Sequence, residues 1–187
     1  MARMKGTVIR SFRIESATDK ELQEEAEKKG ISVNGLVNQI INKHSSFDRY
    51  AEEYGSLTIG RTLFRGILRA ASPGSLEEVA KKLGKELPRE FMNFWFQKID
   101  LETFLSYVDI LCKYSGFGSY ERSLREADMI IVLHHQLGME WSILLGHYLE
   151  EALKSCCSIV LHLDIAGNTI KMQFKVPPEY TNSLIMS

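Results

Sequence analysis

The first residues of the chain whose side chains suit polar chemistry are basic. Arg3, Lys5, Arg10 and Arg13 all come before Glu15, which is the first acidic residue. A guanidinium group can donate two parallel hydrogen bonds to O6 and N7 of guanine, and lysine or arginine can neutralise phosphate oxygens. These residues therefore favour contact with a polyanion, provided that one element of structure presents them on a common surface.

Residues 7–14 supply such an element, because their sequence TVIRSFRI is typical of a short β-strand. Alternate side chains of a strand point to opposite faces. Phe12 and Ile14 then share one face, with Arg10 at its outer end. The opposite face carries Ile9, Ser11 and Arg13.

Two short helices are predicted to follow this strand. Thr18 and Glu21 form the pattern of a capping box, which predicts that the first helix is capped by Thr18. Gly30 suits the left-handed conformation that ends a helix, and Ser32 suits the N-cap of the next one. The second helix is predicted to carry a broad apolar stripe, made of Val33, Leu36, Val37, Ile40 and Ile41.

A strand and two helices of about 40 residues lie near the lower size limit for a domain that folds alone. Two copies would solve this problem, because their strands could pair antiparallel and their second helices could pack together. Folding and dimerisation would then be one event. The predicted core of this homodimer consists of Phe12, Ile14, Leu22, Leu36, Val37, Ile40 and Ile41.

The outer face of such a two-stranded ribbon fits the major groove of double-stranded DNA. The predicted base-reading residues are therefore Ile9, Ser11 and Arg13. The free backbone N–H groups at the start of the second helix can hold a phosphate. Together with the basic residues near the ribbon, this predicts phosphate contacts from Arg3, Lys5, Arg10, Ser32, Val33 and Asn34.

With these features, residues 5–44 resemble the ribbon-helix-helix family of DNA-binding proteins, the group that includes the Arc and MetJ repressors. The resemblance rests on RSFRI as the ribbon, TDKELQEEAEKKG as the first helix and GISVNGLVNQIINKH as the second. It implies that outward ribbon side chains read bases and that the start of the second helix clamps the DNA backbone. Ile9 departs from the family, where a polar reader is common, and Gly35 weakens the second helix slightly.

The rest of the chain is predicted to form a separate domain, so that the whole protein is α+β. Residues 1–48 form the DNA-binding and dimerisation domain, 49–56 a linker, and 57–187 a C-terminal α+β domain that senses a ligand or mediates assembly.

Within this C-terminal domain the predicted order is helices, hairpin, helix, hairpin. Ser75 and Glu78 form a second capping-box pattern, which predicts a helix that ends near Gly84, and Pro88 predicts the start of another segment. The other predicted helices cover 57–71, 101–114 and 138–154, and the predicted hairpin strands cover 119–124, 129–135, 158–165 and 169–176.

Three histidines are the candidates for a metal site in the C-terminal domain: His135, His147 and His162. The sequence contains neither C-x-x-C nor H-x-x-x-H. Adjacent residues such as His134 and His135 on one strand would point in opposite directions. The chain is therefore predicted to hold no cofactor, with a small-molecule or metal effector left open, and no arrangement of nucleophile, base and acid predicts an enzyme.

The net charge of −1 over 187 residues excludes an indiscriminate coat for nucleic acid. The chain has no apolar run long enough for a membrane span, and its three cysteines form no even disulfide framework, so we expect a cytoplasmic protein without a membrane partner. The prediction is a sequence-specific transcription regulator, a repressor that acts as a homodimer and can assemble further. The alternatives are an antitoxin-like protein whose C-terminal domain binds a protein partner, and a metal-responsive regulator.

Overall fold

The structure is a computed structural model and describes residues 8–180. It divides the chain into two compact units, Met1–Glu53 and Tyr54–Ser187, so the division falls inside the predicted linker. The fold is α+β, as predicted, because helices are combined with one antiparallel sheet.

All the regular secondary structure in the described part of the N-terminal unit is helical. Helix α1 covers Ser16–Lys29 and α2 covers Val33–Lys43; a π-helical turn, His44–Asp48, then leads into α3, Arg49–Glu53. Residues 8–14 form neither helix nor strand in the single chain. A strand needs a neighbour for its backbone groups, so the predicted ribbon remains a prediction about two chains.

The predicted cap at Thr18 is wrong. Helix α1 begins at Ser16, and Glu15 occupies the N-cap position without a hydrogen bond from its side chain. The N–H of Asp19 donates to the Glu15 carbonyl at 3.0 Å. This additional turn of backbone hydrogen bonds starts the helix before Thr18, and the helical backbone is incompatible with the extended conformation that a capping threonine requires.

The C-terminal unit has the predicted order of helices, hairpin, helix and hairpin. Its helices are α4 (Arg61–Arg69), α5 (Pro73–Phe96), α6 (Leu101–Tyr114) and α7 (Met139–Cys157), and its strands are β1 (Ser119–Arg125), β2 (Asp128–His134), β3 (His162–Ala166) and β4 (Thr169–Lys175).

The four strands form one antiparallel sheet in the order β1-β2-β4-β3. The central strands β2 and β4 bury alternate residues on one face, as the period of a strand requires. These residues are Met129, Ile131, Leu133, Ile170, Met172 and Phe174, and they join the core together with Phe104, Leu105, Leu145, Leu149 and Leu153 of α6 and α7.

The prediction that one helix ends near Gly84 and another segment starts at Pro88 is wrong, because both residues lie inside helix α5. This helix runs without a break through both residues, and it begins three positions before the predicted capping box, because Ser72 rather than Ser75 accepts the N-cap hydrogen bond. A proline cannot donate to the carbonyl four positions earlier. Here the Gly84 carbonyl accepts a hydrogen bond at 3.4 Å from the hydroxyl of Ser155 on α7 instead.

Gly84 also allows α7 to approach α5 closely. A Cβ atom added at Gly84 would lie 2.5 Å from the backbone carbonyl oxygen of Tyr148. Real Cβ contacts are never this short, and the atom in the way is backbone, so the two helices can pack at this distance only because residue 84 has no side chain.

We predict that Gly84→Ala destabilises the protein by about 1–3 kcal/mol, because the added methyl group forces α5 and α7 apart. Gly66→Ala is the matched control: Gly66 is also inside a helix, but its added Cβ would meet nothing within 4 Å. The control should be stabilised by about 0.5–1 kcal/mol through the better helix propensity of alanine. Urea unfolding of both variants measures the difference, and equal effects would contradict the close approach at Gly84.

Candidate nucleic-acid interface

Residues 8–14 present both basic and apolar side chains to solvent. Ile9 is 91% exposed and Phe12 is 62% exposed, and Ser11 and Arg13 are exposed as well. Arg10 is exposed and donates only to the neighbouring carbonyl of Ile9, at 3.3 Å, among the bonds found in the described residues. All three predicted base-reading side chains are therefore accessible, whereas Arg3 and Lys5 lie outside the described residues.

The turn between α1 and α2 is built as the sequence predicts. Gly30 has a left-handed backbone with φ +64°. Its N–H donates to the carbonyl of Glu27, and the N–H of Ile31 donates to that of Ala26, both at 3.0 Å. These two bonds form a Schellman motif, which satisfies carbonyls at the end of α1 and directs the chain into α2.

Ser32 caps α2, as predicted. Its hydroxyl oxygen accepts a hydrogen bond from the N–H of Gly35 at 3.1 Å. A Cβ atom added at Gly35 would lie only 3.3 Å from this oxygen. Sequence reasoning treated Gly35 as a weakness of the helix and missed that it leaves room for the cap.

The start of α2 has the features of an anion site. The first N–H groups of a helix have no preceding carbonyl, and the helix dipole adds a partial positive charge there. Asn34 is exposed beside this end, while Val33 is half-buried. The hydroxyl of Ser32 is already engaged as the cap. The groups at this end that are suited to a phosphate are therefore the backbone N–H groups of Ser32, Val33 and Asn34.

The predicted dimer core separates into a buried and an exposed part in the single chain. Leu36 is buried, and Ala26 of α1 is buried in the same unit. Leu22 and Val37 are half-buried. The remaining four residues are exposed large hydrophobics, namely Phe12, Ile14, Ile40 and Ile41, at 62%, 45%, 47% and 49%.

Charge is divided between the segments of the N-terminal unit. The described residues before Glu15 carry the positive charges of Arg10 and Arg13 and no negative charge. Helix α1 carries five acidic and three basic residues, Asp19, Glu21, Glu24, Glu25 and Glu27 against Lys20, Lys28 and Lys29. A polyanion is therefore attracted to the segment before α1 and repelled by the charged surface of α1.

The three histidines proposed as metal ligands do not come together. His135 is buried and bonded within the C-terminal unit, His147 lies between two glutamates, Glu77 and Glu150, and His162 pairs with Asp164 at 3.3 Å. Within residues 8–180 no group of three histidine, cysteine or acidic side chains could hold a metal ion. The suggested convergence is wrong because each imidazole has its own partner nearby: Ser142 for His135, Glu150 for His147 and Asp164 for His162.

The cysteines do not form a reactive site. Burial raises the pKa of Cys112 and of Cys157 to about 12, and it also raises the pKa of Cys156. The reactive form of cysteine is the thiolate, which these thiols do not form near neutral pH. Their positions are therefore explained by packing beside the core.

The C-terminal unit also has an open surface groove of about 360 Å³ between α5, α7 and the segment before β3. Its lining combines two lysines and two glutamates with apolar residues: Lys81, Lys154, Glu150, Glu151, Ile159, Val160 and Leu161. The opposite charges balance, so the groove has no preference for one sign of ligand charge.

Comparison with known proteins finds no match, either to a model of a protein family or to a curated protein. Between residues 8 and 180, no helix combines the length and the apolar character that a membrane span requires.

His135 links the end of β2 to α7. The N–H of Leu137 donates to its Nδ1 at 3.2 Å, so Nε2 carries the proton and donates to the Ser142 hydroxyl at 2.8 Å. That hydroxyl donates to the Gly167 carbonyl at 2.7 Å. Burial lowers the pKa of His135 below its usual 6.5, and the neighbouring His134 lowers it further.

We predict that the free energy of unfolding falls as the pH falls below about 6.5, because the unfolded chain then binds a proton that the folded His135 excludes. In His135→Gln the amide keeps one hydrogen-bond acceptor and one donor but does not titrate, so the free energy of unfolding should depend less on pH. Urea unfolding at about pH 8 and about pH 5 measures it. An equally steep fall in the variant would assign the effect to another group.

Proposed function

We propose that the protein is a sequence-specific DNA-binding transcription regulator, a repressor that acts as a homodimer. Two copies of residues 8–14 form an antiparallel ribbon that enters the major groove. The observation that carries this proposal is the exposed apolar surface of the N-terminal unit, part of which, Phe12 and Ile14, lies on the same short segment as the exposed Arg10 and Arg13.

The exposed apolar residues of the N-terminal unit favour a second copy of the chain as their partner. Phe12, Ile14, Ile40 and Ile41 are exposed in the single chain, although leaving such side chains in water costs free energy. A second copy would bring the same four side chains, and a two-fold interface would cover both sets at once. Pairing of the two extended segments would also provide hydrogen-bond partners for their backbone groups.

The charge distribution supports DNA as the ligand of this dimer. Ser11 and Arg13 alternate with the apolar residues that would face inward, so in a ribbon they point outward with Ile9. Arg13 is suited to guanine, Ser11 to several base edges, and Ile9 to the methyl group of thymine. Repulsion between phosphates and the acidic residues of α1 would favour the orientation in which α1 faces away from the duplex.

The start of α2 would fix the position of the dimer on the duplex. A phosphate oxygen can accept hydrogen bonds from the first N–H groups of a capped helix, and the cap at Ser32 holds this turn in place. Two such sites in a symmetric dimer would contact the two strands and set the register in which the ribbon meets the bases.

The C-terminal unit is the proposed effector-binding or assembly domain, with no enzymatic activity assigned. Its extensive core supports a folded domain rather than the short tail with which antitoxin-like proteins wrap their partners. The metal-responsive alternative loses support because the described residues offer no group of three ligands.

We predict that Ile40→Asp prevents dimer formation through the N-terminal unit, because it places a charge in the proposed apolar interface. Ile40 is 47% exposed in the single chain, so the new carboxylate becomes buried only when a second copy covers it. Asn42→Asp adds the same charge to the opposite side of α2 and is the matched control. Sedimentation equilibrium measures the oligomeric state of both variants, and a titration with DNA measures their affinity. An Ile40→Asp protein that still binds DNA would contradict the proposal.

We predict that Arg13→Ala weakens binding at particular base pairs by about 1–3 kcal/mol, because it removes a bidentate contact to guanine. Lys5→Ala should weaken binding to all sequences alike and reduce the salt dependence by about one phosphate contact per chain. Lys20→Ala on α1 removes the same charge outside the proposed interface and should have little effect.

The measurement begins with selection of bound DNA from a random pool, followed by titration of the selected site and of single-base variants at several salt concentrations. Equal losses for Arg13→Ala at every base pair would contradict base reading by Arg13. Failure of the pool to yield any preferred sequence would contradict sequence-specific binding.

A further inference from the structure

Strand β1 lies at one edge of the sheet. All seven of its residues pair with β2, from Ser119 opposite His134 to Arg125 opposite Asp128. Within the described residues no strand pairs with its other edge. Five of its side chains are exposed, and only Tyr120 and Leu124 are half-buried.

A free edge of this length is a template for another strand, because half of its backbone N–H and C=O groups point away from β2. Proteins often protect such an edge with proline, with a bulge, with charged side chains or by making the strand very short. Strand β1 has no proline and keeps a regular register with β2, and of these devices it has only its charges, Glu121, Arg122 and Arg125. Edge strand β3, with five residues, is shorter.

The charges of β1 are complementary to a second copy of itself. If two β1 strands pair antiparallel about Ser123, Glu121 of each copy lies directly opposite Arg125 of the other. These side chains share a face of the sheet, since they are separated by an even number of residues. Pairing about Glu121 or about Arg122 would instead place like charges opposite each other, which destabilises a sheet.

Glu121 and Arg125 have no ion-pair partner among the described residues that would compete for them. Asp128 is opposite Arg125 on β2, but it accepts from Lys175 at 2.7 Å. Within one strand, Glu121 and Arg125 are four residues apart, or about 13 Å, so they cannot pair with each other.

We propose that β1 pairs antiparallel with β1 of a second copy, centred on Ser123, and joins two four-stranded sheets into one of eight strands. The interface is two-fold symmetric, as most interfaces between identical chains are. It lies in the C-terminal unit and does not depend on DNA binding or on the ribbon.

Disulfide trapping of the full chain tests the position of the symmetry axis. Ser123→Cys places two thiols on directly opposite residues, whose Cα atoms are about 4.5–5.5 Å apart and within reach of a disulfide. Ser119→Cys is the matched control, because its two copies would be about 26 Å apart. Under mild oxidation, Ser123→Cys should give a covalent dimer, and Ser119→Cys and the unsubstituted chain should not.

Charge reversal tests the register by the same measurement. In the Ser123→Cys protein, either Glu121→Arg or Arg125→Glu should slow disulfide formation about tenfold, because both cross-strand pairs become repulsive. The double variant exchanges the charges and should restore the rate to within about twofold. No covalent dimer from Ser123→Cys, or no restoration in the double variant, would overturn the proposal.

Discussion

Helix α7 has to pack against helix α5 and against the sheet at the same time, and glycine makes both approaches possible. On one side, a side chain at Gly84 of α5 would collide with the Tyr148 carbonyl of α7. On the other, a Cβ atom at Gly146 of α7 would lie 2.9 Å from the side chain of Ile165 on β3. These two approaches set how closely α7 packs against α5 and against β3, and the one at Gly84 is the stricter because the atom opposite it is backbone.

The two units meet the same requirement, burial of apolar surface, in different ways. The C-terminal unit covers the inner face of its sheet with its own helices, and the central residues of β2 and β4 are almost fully buried. The N-terminal unit has too few elements to cover its apolar residues and leaves Phe12 and Ile40 exposed. A domain of about 60 residues or fewer buries only about 60% of the surface that its unfolded chain exposes, which is why the proposed function joins assembly and DNA binding in one element.

Local patterns predicted the elements whose boundaries depend on local chemistry. Helix α6 covers the predicted span, Leu101–Tyr114, because Asp100 and Thr103 form a reciprocal cap at its start. Gly30 ends α1 as expected, since glycine accepts a left-handed backbone. Ser32 begins α2 as expected, since its hydroxyl supplies the capping oxygen. The same reasoning misplaced the start of α1, where backbone hydrogen bonding extends the helix beyond a good capping residue.

The sequence by itself determined the α+β class, the order of helices and hairpins in the C-terminal unit, and the basic and apolar character of the first segment, because these follow from periodicity and side-chain type. Only the tertiary structure decided that α5 continues through Gly84 and Pro88. It also decided that the three histidines stay apart and that β1 is an edge strand. Each of these depends on what the fold places beside the residue: a hydroxyl from Ser155 on α7, a separate partner for each imidazole and, among the described residues, a neighbouring strand on one side of β1 only.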